Sequence, residues 1–257
     1  GLSVEAVDQC WDEFKPDTII TVDNGITSVE GVARAKALVM RVVVTDHHLP
    51  GAEIPKADAV VNPQLAHTDE LKNLAGVGVM FYVLIRLRRM LISRGHYTEG
   101  SQPNLSCLMD LVGLGTVADL VKLDKNNRML VHHGLRRIRA GKGCHAIEAL
   151  CKEGKQGLKS LSAVDISFRI APKLNAAGRM ADMTIGVQAL LATDPSTAWD
   201  KVGELVSLNS DRVQIQYDMV DKALKMIERE KKEKVAKGVC LYSPDWHQGV
   251  IGILASK

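Results

Sequence analysis

An aspartate and two histidines follow one another directly after a run of β-branched residues, at Asp46, His47 and His48. Carboxylate oxygens and imidazole nitrogens are suitable ligands for magnesium-like ions and for manganese, which in particular accepts mixed nitrogen and oxygen ligands. Neighbouring side chains on an extended segment point in different directions, so one histidine can bind a metal while the other faces a substrate. A second histidine pair, His132 and His133, lacks the preceding aspartate, and we predict that it lies at the surface.

Two further aspartates are candidates for the same chemistry. Asp23 follows another strand-like run, and Asn24-Gly25 provides a tight turn that exposes a carboxylate at a sheet edge. An ordinary Asx turn or helix cap explains Asp23 equally well. Asp119 follows an apolar, glycine-containing stretch, where a carboxylate must be paired, hydrogen-bonded or metal-bound unless it reaches water at a helix end.

The first third of the chain alternates between helical and strand periodicity, which places these residues at strand ends. Three runs are predicted as strands, at 18–22, 41–45 and 59–61, and helical patterns precede and separate the first two. This alternation predicts an α/β fold with a parallel sheet. Because sites in open parallel sheets form at the carboxyl ends of the strands, we expect Asp23, Asp46, His47, His48 and Asn62 to meet at one edge.

After residue 63 the pattern is almost entirely helical. We predict a first domain over 1–194, with its sheet in 1–63 and a helical extension in 64–194 that contains a loop at 171–179. A long connecting helix is predicted over 195–237, from an apolar stripe at steps of three, four and seven residues. Val239–Tyr242 is predicted as a strand that opens a truncated second domain over 238–257.

Composition excludes several classes of protein. With 46% hydrophobic and 25% charged residues, the 257-residue chain is neither disordered, collagen-like nor a coiled coil. Its five cysteines are widely spaced and form no zinc-like group, which fits a reducing cytoplasm. The longest apolar run, 74–85, is too short to span a bilayer, and no signal peptide opens the chain, so we predict a soluble cytoplasmic protein without membrane contact.

Local charge indicates more than the net charge of +3. Two segments, 86–94 and 128–142, carry four and five basic residues and no acidic one: Arg86, Arg88, Arg89 and Arg94 in the first, and Arg128, Arg136, Arg137, Arg139 and Lys142 in the second. Each segment is either an anion-binding patch or a solvated helix face.

Taken together, these residues resemble the DHH phosphoesterase superfamily and, within it, the single-stranded-DNA exonucleases. The resemblance covers essentially the whole chain. Asp-His-His alone also suits pyrophosphatases and small-nucleotide phosphodiesterases of the superfamily, but the last two matching segments favour the exonucleases. In chain order, the matching segments are Thr21–Ile26, Val44–Pro50, Leu74–Val79, Gly115–Asp119, Leu174–Met180 and Trp246–Ile253.

The resemblance implies a two-metal phosphodiesterase of DNA repair and recombination that degrades single strands from the 5′ end with manganese or magnesium. Asp23 would bridge the two metals, and His47 and Asp119 would complete the shell of one. Asp46 would orient the histidine pair, and His48 would face the scissile phosphate.

Three further residues match family positions for binding DNA. Arg179 would contact the DNA phosphate with help from Asn175, because a guanidinium fork binds phosphate bidentately. His247 matches a position near the start of the second domain, which the resemblance makes DHHA1-like. Without the resemblance, the sequence slightly favours a plain turn at Asn175–Gly178 and a surface charge at Arg179. The implied partners are single-stranded DNA and replication or repair proteins such as single-strand-binding protein and helicase.

The sequence departs from the family in two places. The family has an acidic strand end before the position of Asp23 and a glycine- and serine-rich phosphate-binding segment in its second domain, and this sequence contains neither. The chain also opens without methionine. We therefore expect a fragment with an incomplete metal site. The alternatives are a hydrolase of a small phosphorylated compound and a non-catalytic homologue that binds DNA or a partner.

Overall fold

The structure is a computed structural model that describes residues 1–67, 69–98, 100–230 and 238–256. Contacts divide the chain into two units, Gly1–Gly143 and Cys144–Lys257, and each unit has its own buried core. In the described part of the chain, we find no helix with the length and apolarity of a membrane-spanning segment.

A parallel sheet of three strands forms the base of the first unit. Strands β1 (Thr18–Val22), β2 (Arg41–Thr45) and β3 (Ala59–Val61) lie side by side in that order, and they coincide with the predicted strands. β-Branched residues dominate all three, and these side chains pack well on a pleated surface. The predicted α/β class is thereby confirmed.

Two helices pack on this sheet. Helix α1 (Val4–Phe14) begins at Ser3, whose hydroxyl accepts a hydrogen bond from the Ala6 backbone at 3.2 Å, and α2 (Val29–Ala37) connects β1 to β2. Their apolar faces and the strands bury one cluster, which removes apolar surface from water and holds the strands in place. It consists of Val7, Val32, Ala35, Met40, Val42 and Val44.

The rest of the first unit is helical, as predicted. It contains α3 (Gly76–Ser93), α4 (Met109–Ala118) and α5 (Lys125–Arg139). Helices α4 and α5 cross at Gly113 and Gly134, where a Cβ on Gly113 would lie 3.0 Å from the Gly134 Cα. Only glycine permits so close an approach of two helix backbones.

The second unit contains helices α6 to α11. Their bounds are α6 His145–Glu153, α7 Ala163–Asp165, α8 Ala171–Met180, α9 Thr184–Leu191, α10 Pro195–Glu230 and α11 Gln248–Leu254, with a π-helical turn at Ile166–Ile170. The predicted loop at 171–179 is therefore wrong, because this segment forms α8. Pro172 lies in the first turn, where its missing N–H breaks no helical hydrogen bond, and the segment buries Leu174, Ala176 and Ala177.

The predicted strand at Val239–Tyr242 is also wrong. These residues have no regular secondary structure, since in the described part of the chain no strand lies beside them to provide ladder hydrogen bonds. The division into units also differs from the predicted domain limits at 194 and 237. Helix α10 packs on α6, α8 and α9, and buries Ala198, Val202 and Leu205, so it is grouped with them. Residues 231–237 of the predicted connecting helix lie outside the described residues.

Candidate metal centre

Asp23 and the segment 46–48 lie at one edge of the sheet because the strands that precede them, β1 and β2, are parallel neighbours. Val22 lies opposite Thr45, so Asp23 and Asp46 both begin where their strands end. The Asp23 backbone N–H donates to the Thr45 carbonyl at 3.0 Å, which joins the two strand ends. The Asp46 backbone N–H donates to Val61 of β3 at 3.1 Å in the same way.

The turn after β1 holds Asp23 in an unusual backbone conformation. Its φ is +64°, a left-handed value that costs a non-glycine residue of the order of 1 kcal/mol. The Asn24 amide donates to the Val22 carbonyl at 3.0 Å, and the Thr21 hydroxyl donates to the Asn24 carbonyl at 2.7 Å. Gly25 has φ +110°, and a Cβ there would lie 2.7 Å from the Thr21 hydroxyl oxygen. These contacts fix the direction of the Asp23 carboxylate.

The imidazole of His47 is the point at which two carboxylates meet. Its Nε2 lies 3.1 Å from Asp23 Oδ1 and 3.4 Å from Asp119 Oδ2. Although both oxygens are close, this buried nitrogen forms no hydrogen bond of acceptable angle with any described residue. A ring N–H is directional, whereas a cation accepts ligands from several directions, so this arrangement suits a shared cation better than a hydrogen bond.

His48 extends the same cluster. Ligand atoms of Asp23, His47 and His48 all lie within 4.8 Å of one another. His48 Nδ1 lies 2.7 Å from Asp46 Oδ1, which leaves Nε2 as the ring nitrogen directed away from Asp46. This hydrogen bond raises the pKa of His48 above its ordinary value, despite the opposing effect of burial.

Asp46 has a different environment from Asp23, because its carboxylate is 1% exposed and accepts four hydrogen bonds. Oδ2 accepts from the Ile26 N–H at 2.9 Å, while Oδ1 accepts from the His47 N–H, the His48 N–H and the His48 ring. Burial alone would raise the pKa of Asp46, but these hydrogen bonds outweigh it and hold the pKa below its ordinary value. Asp46 is thus fully occupied in fixing the turn and the His48 ring.

Asp119 reaches the centre from the end of α4. Its backbone N–H donates to the Gly115 carbonyl at 3.0 Å, which closes the last turn of the helix. Burial raises the pKa of Asp119 and the neighbouring Asp23 raises it further, although His47 acts in the opposite direction. Helix α3 packs closely on α4 at this end, where a Cβ on Gly115 would lie 2.8 Å from Val77 Cγ1.

Three residues support the centre: Asn62, which was expected at this edge, and Gly76 and Gln64, which were not predicted as site residues. Gly76 begins α3 directly against Asp23, and a Cβ there would overlap the Asp23 carboxylate. Asn62 donates to the His48 carbonyl at 2.9 Å, and Gln64 donates to the His47 carbonyl at 3.2 Å. The position of Asn62 at the end of β3 is a usable sequence signal, whereas nothing in the sequence singles out Gln64.

The three residues predicted to bind DNA lie in the second unit. Arg179 is exposed in the last turn of α8, with Asn175 one turn earlier on the same face. Arg179 Nη1 donates to the Gly249 carbonyl at 3.2 Å, and His247 Nδ1 accepts from the Gly249 N–H at 3.1 Å. His247 therefore caps α11, and the backbone of Gly249 is hydrogen-bonded to both His247 and Arg179.

The sequence analysis missed Arg212 on α10, a second arginine near Arg179. Its guanidinium is held by Gln216 Oε1 at 2.8 Å and Asn209 Oδ1 at 3.1 Å. Burial lowers the pKa of Arg212, and the positive charge of Arg179 lowers it further. No spacing in the sequence could have revealed it, because the two arginines are brought together by the packing of α8 on α10.

Comparison with known proteins places this arrangement among relatives. Residues 4–116 match the model of the DHH family, N-terminal domain. The single-stranded-DNA-specific exonuclease RecJ of Salmonella typhimurium is 47% identical over the whole chain, which spans 45% of that relative. The chain thus spans less than half the length of this relative and of RecJ from Escherichia coli, to which it is 45% identical.

Solved structures of RecJ are also similar to this chain. A structure described as RecJ in complex with Mn²⁺ from Thermus thermophilus superposes with a TM-score of 0.84 at 33% identity, covering 98% of this chain and 36% of the other. A structure of RecJ from the same organism in complex with Mg²⁺ gives a TM-score of 0.71 at 32% identity, covering 95% and 33%.

Proposed function

Because residues 4–116 match the model of the DHH family and the whole chain is similar to part of RecJ, we propose that it is the core of a single-stranded-DNA-specific exonuclease. The enzyme would hydrolyse phosphodiester bonds from the 5′ end toward the 3′ end in DNA repair and recombination, by a two-metal mechanism. The meeting of Asp23 and Asp119 at the unpartnered His47 Nε2 is the observation that carries this proposal.

The donor set fits manganese or magnesium. Two carboxylates and one imidazole supply oxygen and nitrogen ligands, and His47 Nε2 is a buried polar atom that a cation would satisfy. Asp23 would be shared by the two ions, and His47 and Asp119 would be further ligands of one. When bound, such ions stabilise charge on the attacking and leaving oxygens of a phosphodiester.

Asp46 and His48 act beside the ligands. Asp46 uses one oxygen to anchor the turn at Ile26 and the other to hold the His47 backbone and the His48 ring, so it fixes the course of the turn and the direction of the His48 ring. His48, more than half exposed, can direct its free Nε2 at the scissile phosphate, where a protonated ring donates a hydrogen bond. Asp46 is thus a positioning residue, and His48 is the candidate catalytic residue.

The second unit would hold the DNA strand. Arg179 presents an exposed guanidinium whose fork matches a phosphate, and Asn175 on the same face adds an amide donor. His247 keeps Nε2 available while its Nδ1 caps α11. Single-stranded DNA is therefore the proposed substrate. A single-strand-binding protein and a helicase are proposed partners, and the cytoplasm is the proposed location.

Substitution of the proposed ligands tests this function in the complete gene product. With saturating manganese, His47→Ala and Asp119→Ala should each reduce release of nucleotides from 5′-labelled single-stranded DNA by about a thousandfold or more, because each removes a ligand of a metal that stabilises the transition state by several kcal/mol. His132→Ala, which removes an exposed histidine of the other pair, is the matched control and should keep full activity.

Parallel assays on pyrophosphate, a cyclic dinucleotide and a short oligonucleotide separate the exonuclease from a small-molecule hydrolase. Wild-type rates of nucleotide release in His47→Ala and Asp119→Ala would show that neither side chain takes part in the mechanism. Hydrolysis of the small compounds without release of nucleotides from long single strands would replace the exonuclease with a phosphoesterase of small substrates.

A further inference from the structure

The two acid-free basic segments of the sequence converge on one groove of the first unit. This basic groove, of about 680 Å³, lies between α3, the short turn Leu105–Leu108 and α5. Arg88 of segment 86–94 lines it from one side, and Arg136, Arg137 and Lys142 of segment 128–142 line it from the other. None of these residues belongs to the metal centre, so the proposed exonuclease function leaves them unexplained.

The rim of the groove is positively charged. Arg136 and Lys142 are exposed, and Arg88 Nη1 donates to the Pro103 carbonyl at 3.0 Å, which fixes the guanidinium without neutralising it. Arg137 is the exception, because its Nε lies 3.5 Å from the buried carboxylate of Asp110. Among the described residues that line the groove there is no aspartate or glutamate.

The floor of the groove is apolar and contains two methionines. Met129 is 51% exposed, and Met109, Ile85 and Leu105 are partly buried around it. Methionine is flexible and polarisable, so methionine-lined surfaces adapt well to the side chains of bound peptides. Two ring side chains are among the described lining residues: Phe81 is 8% exposed, and His133 of α5 is exposed.

We propose that the basic groove is a docking site for an acidic peptide segment of a partner protein that carries bulky apolar side chains. The apolar floor would accept one or two such side chains, while Arg88, Arg136 and Lys142 would pair with flanking carboxylates. Charge complementarity favours an acidic ligand in general. The apolar, methionine-containing floor favours a peptide over a nucleic acid, because among the described lining residues only His133 offers an exposed ring on which a base could stack.

Fluorescence anisotropy on the complete gene product tests this proposal. The probe is a fluorescein-labelled peptide of twelve residues that alternates Asp and Glu with Leu, Met and Phe, measured beside a lysine-substituted version and a labelled oligothymidylate. The acidic peptide should bind and the lysine version should not. Arg136→Glu should weaken binding by about tenfold, because it reverses a charge on the rim.

Matched controls separate the groove from general charge and hydrophobicity. Arg89→Glu makes the same charge change on α3, and Leu87→Glu matches Met129→Glu, but neither control residue lines the groove. Met129→Glu should abolish peptide binding, while both controls should bind normally. Equal binding to all four variants, or absence of binding to the wild type, would overturn the proposal. Loss of oligothymidylate binding in Arg136→Glu without any peptide binding would assign the groove to nucleic acid instead.

Discussion

The polar residues around His47 differ in how far the protein itself satisfies them. Asp46 accepts four hydrogen bonds, so its charge is balanced without any ligand. Asp23 and Asp119 instead approach the same nitrogen of His47, which has no hydrogen-bond partner among the described residues. A buried polar atom without a partner costs free energy, and a cation bound at this nitrogen would remove that cost.

Manganese binding by the 257-residue chain tests whether Asp23, His47 and Asp119 together form a metal site. We expect one detectable site, since the described residues supply one cluster of ligand groups. His47→Ala should weaken binding by more than about tenfold, because loss even of a supporting residue at a metal site costs that much. Isothermal titration calorimetry measures both quantities, with His132→Ala as the control. Two tight sites in the unsubstituted chain would contradict the predicted incomplete site.

The cysteines differ in reactivity for a physical reason that the sequence does not reveal. Burial raises the pKa of the Cys151 thiol to about 11, whereas Cys107 and Cys240 are exposed. Because the thiolate is the reactive form, Cys151 should resist alkylation by iodoacetamide at pH 8 while Cys107 and Cys240 react. Mass spectrometry of labelled peptides measures this, and labelling in urea is the control, in which all five should react.

The raised pKa of the Cys151 thiol predicts that the free energy of unfolding declines at high pH. In the unfolded chain Cys151 ionises near its ordinary pKa of 9.0, below the folded value. Its stabilising contribution is therefore complete below pH 9 and declines as the pH rises toward 11, because only the unfolded state releases the proton in that range. Cys151→Ala should flatten this decline in urea-unfolding curves, and an unchanged slope would contradict the assignment.

At the scale of elements, glycines let the helices approach the sheet edge. Gly76 places the start of α3 against Asp23, and Gly115 lets α4 pack on Val77 of α3. Asn127, which is fully buried, joins the loops before and after these helices, since its amide donates to the Asn73 carbonyl at 2.6 Å and the Lys122 carbonyl at 2.8 Å. The position of Asp119 thus depends on helix packing.

Gly76→Ala tests this dependence. The added methyl group would overlap the Asp23 carboxylate, so we expect a loss of about 1–3 kcal/mol in unfolding free energy and weaker manganese binding. Gly203→Ala is the matched control, because nothing lies within 4 Å of a Cβ there and alanine should stabilise α10 by about 0.5–1 kcal/mol. Equal effects of both substitutions in urea unfolding would contradict the role assigned to Gly76.

At the scale of the whole molecule, the proposed exonuclease would hydrolyse DNA with residues of one unit and bind it with residues of the other. The first unit carries the proposed metal centre, and the second carries Arg179 and the neighbouring Arg212 of α10. Residues that bind phosphates contribute to affinity through charge, and this contribution weakens with salt. Such a division predicts that binding of DNA and hydrolysis can be impaired separately.

Arg179→Ala should separate the two activities in the complete gene product. Loss of one phosphate contact should weaken binding of single-stranded DNA and reduce the slope of log affinity against log salt by about one. Manganese affinity should stay unchanged. Arg169→Ala, an exposed arginine of the same unit outside α8, is the control. An unchanged salt slope in Arg179→Ala would remove this residue from the DNA-binding surface.

Prediction from the sequence succeeded where a local pattern decides the structure. The β-branched runs gave all three strands, and the position of Asp23 and Asp46 directly after two of them predicted their common edge. It failed at 171–179, where proline and glycine indicated a loop although the segment buries an apolar face as α8. It also failed at Val239–Tyr242, because a strand requires a neighbour that periodicity does not report.

The sequence by itself determined the α/β class and the residue types at the end of each strand. Both depend on the alternation of helical and strand hydrophobic periodicity, which consecutive residues encode. Only the tertiary structure decided that Asp119 reaches His47, that Gly76 presses on Asp23, and that two basic segments border one groove. These contacts join residues far apart in the chain, and packing of whole helices, which no short segment encodes, brings them together.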